Sequence, residues 1–564
     1  MIPGRAFRVI ILIVLLSGFF RAGSALFAQG IGPERKPVKN LIILIADGAA
    51  AEQYTLARWF KGEPLALDRM LAGAVQTHSA DSVVTDSAAA ATAFATGHRT
   101  CNGFVGVGPA GPPLPGVPPP GPDHSGRPLA TVLEGAKLLG KATGIVVTCR
   151  VTHATPAGFY AHVPSRSLEN DIMEQGVYQN LDVMLGGGRR HLLPLLKGGR
   201  RTDGENLTAV LRERGYILVR DAEELRQVKS GKVFGLFADN HLEPEIDRTR
   251  YAPQQPTLED MTRKAIELLS QDPDGFFLLV EGSQVDWACH ANDPAHLLSD
   301  LLMFDRAVQA ALDFAGQDGN TLVVALSDHN CGGLTIGNRA TNGIYGHLSP
   351  DALLEPLRRM KLSARGLCRE LGADPSPAKI REVVEKFWGI RPSDNEAGEI
   401  LALARKYGGH PQDAFGEVIC PKYTAIGWTT HGHCGGEVPL FAFGPRRPEG
   451  LLEAPAVGRA CAQALGLSLE QLNARLFQDA DKVLPGGRVA VDRSEPENPV
   501  VQITLPGKVA ELPVNKNLLR LNGKTISLEG VVVYAPDTGK AYIPLEAVHR
   551  LIGRPEPLPA VSEK

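Results

Sequence analysis

The chain has 564 residues, 43% of them hydrophobic and 21% charged, which is ample material for a packed core. A net charge of −3 argues against nucleic acid as the main partner, because a phosphate backbone is held by a dense excess of Lys and Arg. Length alone admits roughly two to four domains.

The opening stretch reads as a secretory signal over residues 1–28: Arg5 and Arg8, an apolar run over 9–20, then small residues around Ala25 and Ala28. The apolar run falls short of the ~20 residues a spanning helix needs, and no later segment reaches it, so an exported chain without a membrane span is expected. Next comes NLIILIA, residues 40–46, a continuous apolar run that predicts a strand buried on both faces. It ends in Asp47-Gly48, which puts a carboxylate at the strand's C-terminal edge.

Residues 85–97, TDSAAAATAFATG, place the Ser87 hydroxyl beside the Asp86 carboxylate at the start of an Ala-rich helix slim enough to pack very close to its neighbours. The unpaired N–H groups and positive dipole end of such a helix attract anions, phosphate among them. Taken alone, Asp-Ser-Ala is equally an ordinary N-cap before a buried helix. Residues 106–128 are rich in Pro and Gly and predict a surface loop.

Four more apolar runs repeat the strand pattern: GIVVT before His153, FFLLVEG before Asp286, TLVVALSDH ending at His329, and VPLFAFG beyond His433. Helical text lies between them, as over 258–269 and 297–314. The alternation predicts an α/β three-layer sandwich with a largely parallel central sheet, whose ligands collect outside the strand C-termini. Residues 351–424 read as an inserted subdomain within a body spanning 39–480. After about residue 495 the text changes to a strand-rich tail over 495–564: a hairpin around Asn522-Gly523, then VVVY, then a short helix near 545–552. The tail faintly resembles the stalk-type domains of copper amine oxidases and bacterial surface proteins, which implies cell-surface contact.

The polar residues at the strand ends form one set: Asp47, Ser87, His153, Thr155, Arg166, Glu281, Asp286, His290, Asp328, His329 and His433. Carboxylates and imidazoles are the ligand types that suit Zn²⁺ and Mg²⁺. Asp286 and His290 are one helical turn apart and can face one ion. Any single member has a bland reading as a turn or a core histidine; the recurrence at nearly every predicted strand end is what points to a metal centre. Four cysteines, Cys149, Cys289, Cys331 and Cys434, fall within a few residues of these groups. Packing is the favoured role for them, with disulfides or metal ligation as alternatives.

From about 39 to 445, outside the insertion, the chain resembles the alkaline phosphatase family. The motifs are ILIADG, TDSAAAATAFATG, HATPAGFYAHVPSR, VEGSQVDWACH, SDH and HGHCGGEVPLFAFGP, with MLGGGRR and GLFADNH as supporting text. The resemblance implies two zinc ions, one held by Asp286, His290 and His433 and one by Asp47, Asp328 and His329. It further implies a magnesium held by Asp47, Thr155 and Glu281. His431 competes with His433, which the downstream apolar run favours. Ser87 would be the nucleophile, Arg166 the phosphate-gripping residue and Asp86 its positioner. Phosphate monoesters are the implied substrates, and a homodimer is common in the family.

Two positions depart from the well-known bacterial pattern, which has Asp and Lys where this chain has His153 and Trp287. Loss of the Lys implies weaker product binding and a more alkaline optimum, and the imidazole implies that zinc can replace magnesium at the third site. A phosphodiesterase or sulfatase on the same scaffold is the nearest rival, although TDSAAAA lacks the sulfatase signature. A surface binding protein without catalysis is the rival of a different class, and the complete ligand set speaks against it.

Overall fold

In a computed structural model the described residues are 36–111, 113–117, 125–484, 486–553 and 560–562; the expected secretory signal and the middle of the Pro-rich loop lie outside them. Strand β1 (Asn40–Ala46) is buried along its whole length, and its side chains alternate between two cores. Leu41, Ile43 and Ile45 enter one, Ile42, Leu44 and Ala46 the other. Burial of each Leu and Ile side chain contributes about 1.5–3 kcal/mol, and no polar residue interrupts the run between Asn40 and Asp47.

Strands β2 (Leu71–Gln76), β3 (Ala142–Arg150), β4 (Val183–Gly187), β5 (Ile217–Val219), β6 (Val233–Leu236), β7 (Phe276–Gly282), β8 (Thr321–Leu326), β9 (Glu437–Phe443) and β10 (Gly450–Glu453) complete a ten-stranded sheet. Its order is β10-β2-β9-β8-β1-β7-β3-β4-β6-β5. Every pairing is parallel except those of β9, which runs antiparallel to β2 and β8. Helices Leu258–Leu269 and Pro294–Asp318 cover one face, and helices Ser87–Thr96 and Ala454–Ala464 the other, so the three-layer α/β sandwich expected from sequence is present.

The register fixes where the site forms. β1 lies between β7 and β8, with Ala46 opposite Gly282 and Ile45 opposite Leu326. The residues that follow these three strands therefore emerge at one level of one sheet edge, in the crevice where parallel sheets place their ligands.

Residues 351–424 fold mainly as helices, from Pro350–Arg359 through Ala364–Leu371, Pro377–Trp388 and Asp394–Tyr407 to Asp413–Tyr423. The last of these docks on the end of the helix that carries His290. It comes so close at Gly416 that a Cβ there would lie 2.4 Å from the Ala291 carbonyl oxygen.

The tail forms a five-stranded antiparallel sheet, Arg488–Asp492, Val500–Leu505, Lys508–Pro513, Leu518–Leu521 and Lys524–Ser527. Its first strand precedes residue 495, where the composition changes. The hairpin turn at Asn522-Gly523 has φ of 51° and 74°, the left-handed pair that matches strand twist. Among the described residues no helix is long and apolar enough to cross a membrane.

Candidate active site

Helix Ser87–Thr96 is buried throughout, and its small residues are what permit this. A Cβ on Gly158 would lie 2.8 Å from the Ala91 Cβ, and one on Gly458 2.7 Å from the Ala93 carbonyl oxygen, so neighbouring backbones touch the helix directly. Asp86 caps the helix start, its Oδ1 accepting from Ala89 N–H at 3.0 Å. Its Oδ2 accepts from Arg166 Nη1 at 3.0 Å, so one carboxylate holds both the helix end and the guanidinium. Arg166 Nη2 also meets His153 Nε2 at 3.3 Å.

Ser87 is 2% exposed, and its Oγ lies 3.1 Å from His329 Nε2. The same nitrogen is 3.1 Å from Asp328 Oδ2 and 3.6 Å from Asp47 Oδ1. Asp286 Oδ2 is 3.2 Å from His290 Nε2, and its Oδ1 is 3.7 Å from His433 Nε2. The His329 and His433 rings stack with centroids 3.6 Å apart. His433 comes from the two-residue ladder that pairs His433 with Cys331. His431 turns elsewhere: its Nδ1 meets the His290 carbonyl at 2.7 Å and its Nε2 faces Glu417.

Gly48 shapes the floor beneath Asp47. Its φ is +76°, and a Cβ would sit 2.9 Å from Asp286 Cα, so no side chain fits there.

These groups are buried without the partners that buried polar atoms normally require. Among the described residues, both carboxylate oxygens of Asp47, Glu281 Oε1, Asp286 Oδ1, Thr155 Oγ1 and His153 Nδ1 have no hydrogen-bond partner. Burial, and then the charges of Asp328, Asp286 and Glu281, push Asp47 well above the usual carboxylate range. Burial likewise lifts Glu281 to about 7. Against the same burial penalty, the imidazoles of His290, His329 and His433 hold Asp286 well below that range, and Asp286 in return lifts His290 to about 9. Burial, then Arg166 and Arg150, lower His153 to about 3, which keeps its ring neutral and able to offer a lone pair.

The donor set fits cations. Asp286, His290 and His433 gather on one point with Cys331; Asp47, Asp286 and His329 on a second; His153 and Glu281 with Cys149 on a third. Thr155 sits at the start of the short helix Ala154–Ala157, next to His153. Four carboxylates sharing one buried crevice are tolerable only with such counter-charge. All eight cysteines are free.

Trp287 and His153 meet edge to face, with centroids 5.5 Å apart. Behind them lies a group the strand-end reading passed over. His241 packs against Trp287 at 4.1 Å and against His153 at 5.7 Å, and its ring contacts Arg150, whose guanidinium is clamped by Glu169. The available signal was GLFADNH, another strand whose downstream loop delivers a histidine.

The family model described as alkaline phosphatase matches residues 38–467. Alkaline phosphatase 3 of Bacillus subtilis (strain 168) is 37% identical over 423 residues, covering 72% of this chain and 84% of that protein. The solved alkaline phosphatase of Thermus thermophilus superposes with a TM-score of 0.68 at 30% identity, over 78% of this chain and 95% of that one. The cold-active alkaline phosphatase of a psychrophilic Shewanella species gives 0.63 at 31%, over 76% and 99%. A chain matched along most of its length in sequence and again in fold belongs to the alkaline phosphatase family of phosphate monoester hydrolases.

Proposed function

We propose that this is an exported, metal-dependent phosphatase that works through a phosphoserine on Ser87. The observation that carries this reading is the convergence of a buried serine hydroxyl at a helix N-terminus with unpartnered carboxylate and imidazole atoms. The secretory text at the start of the sequence supports export.

The roles follow from chemistry. Asp286, His290 and His433 would hold one zinc, Asp47, Asp328 and His329 a second, and Asp47, Thr155 and Glu281 a third cation. When bound, such ions supply Lewis acidity that activates a hydroxyl or a water and neutralises phosphate charge. Arg166, held in orientation by Asp86, grips two phosphate oxygens with its planar fork. The N–H groups at the start of helix Ser87–Thr96 face the same phosphate. Ser87 Oγ gives up its proton to solvent and bonds to phosphorus as the ester oxygen leaves with its electron pair and takes a proton from solvent. A water oxygen then bonds to phosphorus, the Oγ–P bond breaks with its electron pair going to Ser87 Oγ, which takes up a proton as the water gives one to solvent, and inorganic phosphate departs. Few groups contact the leaving alcohol in this scheme, so broad monoester turnover is expected. Trp287 and His153 beside Arg166 offer less cationic grip than a lysine would, which favours release of phosphate at alkaline pH.

Rates on p-nitrophenyl phosphate, a bis-ester and a sulfate ester test the reading. Monoester turnover should dominate; dominant diester or sulfate turnover would overturn it.

A further inference from the structure

Two thiols at the centre, those of Cys149 and Cys331, have no task in the proposed phosphoryl transfer, and Cys149 is the more deeply engaged with a buried carboxylate. Cys149 lies near the end of β3, fully buried, in the strand that leads to His153. Its sulfur lies 3.1 Å from the Arg150 carbonyl oxygen and 3.2 Å from Glu281 Oε2, either of which can accept its one proton, and Glu281 Oε1 is free among the described residues. The Cys149 sulfur, a His153 ring nitrogen and a Glu281 oxygen all lie within 4.8 Å of one another. A four-coordinate ion with bonds of about 2.0–2.3 Å gathers such a set with small side-chain movements. A second, independent observation points the same way. Among the described residues, His153 Nδ1 and Glu281 Oε1, which gather with that thiol, and the neighbouring Thr155 Oγ1 are each buried without a hydrogen-bond partner.

The chemistry of this set discriminates between ions. Magnesium takes oxygen ligands in a near-octahedral shell and keeps several waters, which a buried thiol and an imidazole serve poorly. Zinc and its first-row neighbours accept sulfur, nitrogen and carboxylate oxygen together. Resting on the reading of the centre as a three-cation site, we infer that Cys149, with His153, Glu281 and Thr155, makes the third site a thiolate site that selects zinc or a similar thiophilic divalent ion over magnesium. The thiol proton passes to solvent as the sulfur–metal bond forms. The competing role for Cys149 is that of a neutral hydrogen-bond donor to Glu281, and the two make opposite spectroscopic predictions.

The test is a cobalt titration of the full chain after metal stripping, with bound cobalt counted by elemental analysis. A near-ultraviolet sulfur-to-cobalt charge-transfer band should grow with the third equivalent and saturate there. It should vanish in Cys149→Ser and persist in Cys331→Ser, whose sulfur lies in the other cluster. Excess magnesium should leave the third cobalt in place in the unmodified chain and displace it in Cys149→Ser. Three bound cobalt ions with no such band, loss of the band only in Cys331→Ser, or ready displacement by magnesium from the unmodified chain would each overturn the inference. Failure of the folded chain to bind cobalt at all would sink the three-cation reading itself, so the two failures are distinguishable. Should Cys149→Ser not fold, zinc-edge X-ray absorption of the unmodified chain decides. A Zn–S shell at ~2.3 Å that persists in Cys331→Ser is expected, and shells of nitrogen and oxygen alone, or loss of the sulfur shell in Cys331→Ser, would overturn the inference.

Discussion

Asp47 and Val501 are both fully buried, one just past the end of a central strand and one within a strand of the tail sheet. Around Val501 the fold supplies everything burial needs: Leu512 lies opposite it in register, and Ile503 and Leu519 share its core. Around Asp47 the fold supplies the opposite, namely the like charges of Asp328, Asp286 and Glu281. The tail is stabilised by the free energy of removing apolar surface from water. The centre holds charged groups in a geometry that protein alone leaves unbalanced, so its stability and its chemistry both depend on what binds there.

The largest expected effect separates chemistry from folding. Ser87→Ala removes one buried oxygen from a helix start that Asp86 already caps, so the denaturation midpoint should hardly move. Turnover should fall by about 10⁴-fold or more, with no acid-stable phosphoprotein on quenching, as for loss of other catalytic nucleophiles. Hydrolysis at the original rate by metal-loaded Ser87→Ala would remove the proposed nucleophile.

Chelation should loosen the centre and spare the tail. In the metal-free chain Asp47 and Glu281 have carboxyls raised above their unfolded values, Glu281 to about 7. A raised carboxyl contributes stability that is fully present below its unfolded pKa near 4 and is lost as pH rises through the folded value. Metal-free protein should therefore weaken between about pH 4 and 7, whereas cations filling the centre hold the loaded protein steady. At pH 8 the gap should reach about 4 kcal/mol for each site filled at ~1,000 times its dissociation constant. Hydrogen exchange should locate the loss: amides over 40–48 and 321–331 lose protection on chelation, those over 500–513 keep it. Equal loosening of the tail would show that the two regions do not differ in what stabilises them.

Smaller still is the Arg166 pair. Arg166→Ala should cost about 10²–10³-fold in kcat/KM, the usual range for one preorganised donor to a developing charge. Asp86→Asn keeps an N-cap acceptor but weakens the hold on Arg166, so about a tenfold loss is expected with little change in stability. If phosphate inhibition were unchanged in Arg166→Ala, the guanidinium would not be its anchor.

The fold was legible where hydrophobic pattern and sheet geometry coincide. NLIILIA, FFLLVEG and TLVVALS could only be strands covered on both faces, and parallel register then brings Asp47, Asp286 and His329 together. The Asn522-Gly523 hairpin was legible for a local reason, its pair of left-handed residues. Less visible was anything assembled across distant segments without a ligand-type signature of its own. Arg150, Glu169 and His241 lie in three stretches; GLFADNH marks the histidine alone, and nothing in the sequence joins it to the other two until they meet behind Trp287. The start of the tail sheet was hidden too, because strand Arg488–Asp492 precedes the change in composition and is recognisable only through its pairing with Val500–Leu505.

The smallest predicted effect falls where the body and the tail meet. A cavity of about 390 Å³ is lined there by Ser167, Asp171 and Asp203 on one side and Arg493, Glu497 and Tyr534 on the other. Burial lifts the Asp171 carboxyl to about 6, with Arg201 opposing the rise and Asp203 and Glu497 adding to it. The folded chain thus binds this proton more tightly than the unfolded one. The resulting stability is complete below about pH 4 and lost as pH rises through 6. Asp171→Asn keeps the shape and removes the charge. It should raise stability by about 1–2 kcal/mol above pH 7, less than the full shift implies because the side chain keeps some contact with water, and leave it unchanged at pH 4. Denaturant titrations at the two pH values measure the difference. An equal gain at both would show that the carboxylate is not penalised there, and that this boundary is satisfied in the manner of the tail core instead of strained in the manner of the centre.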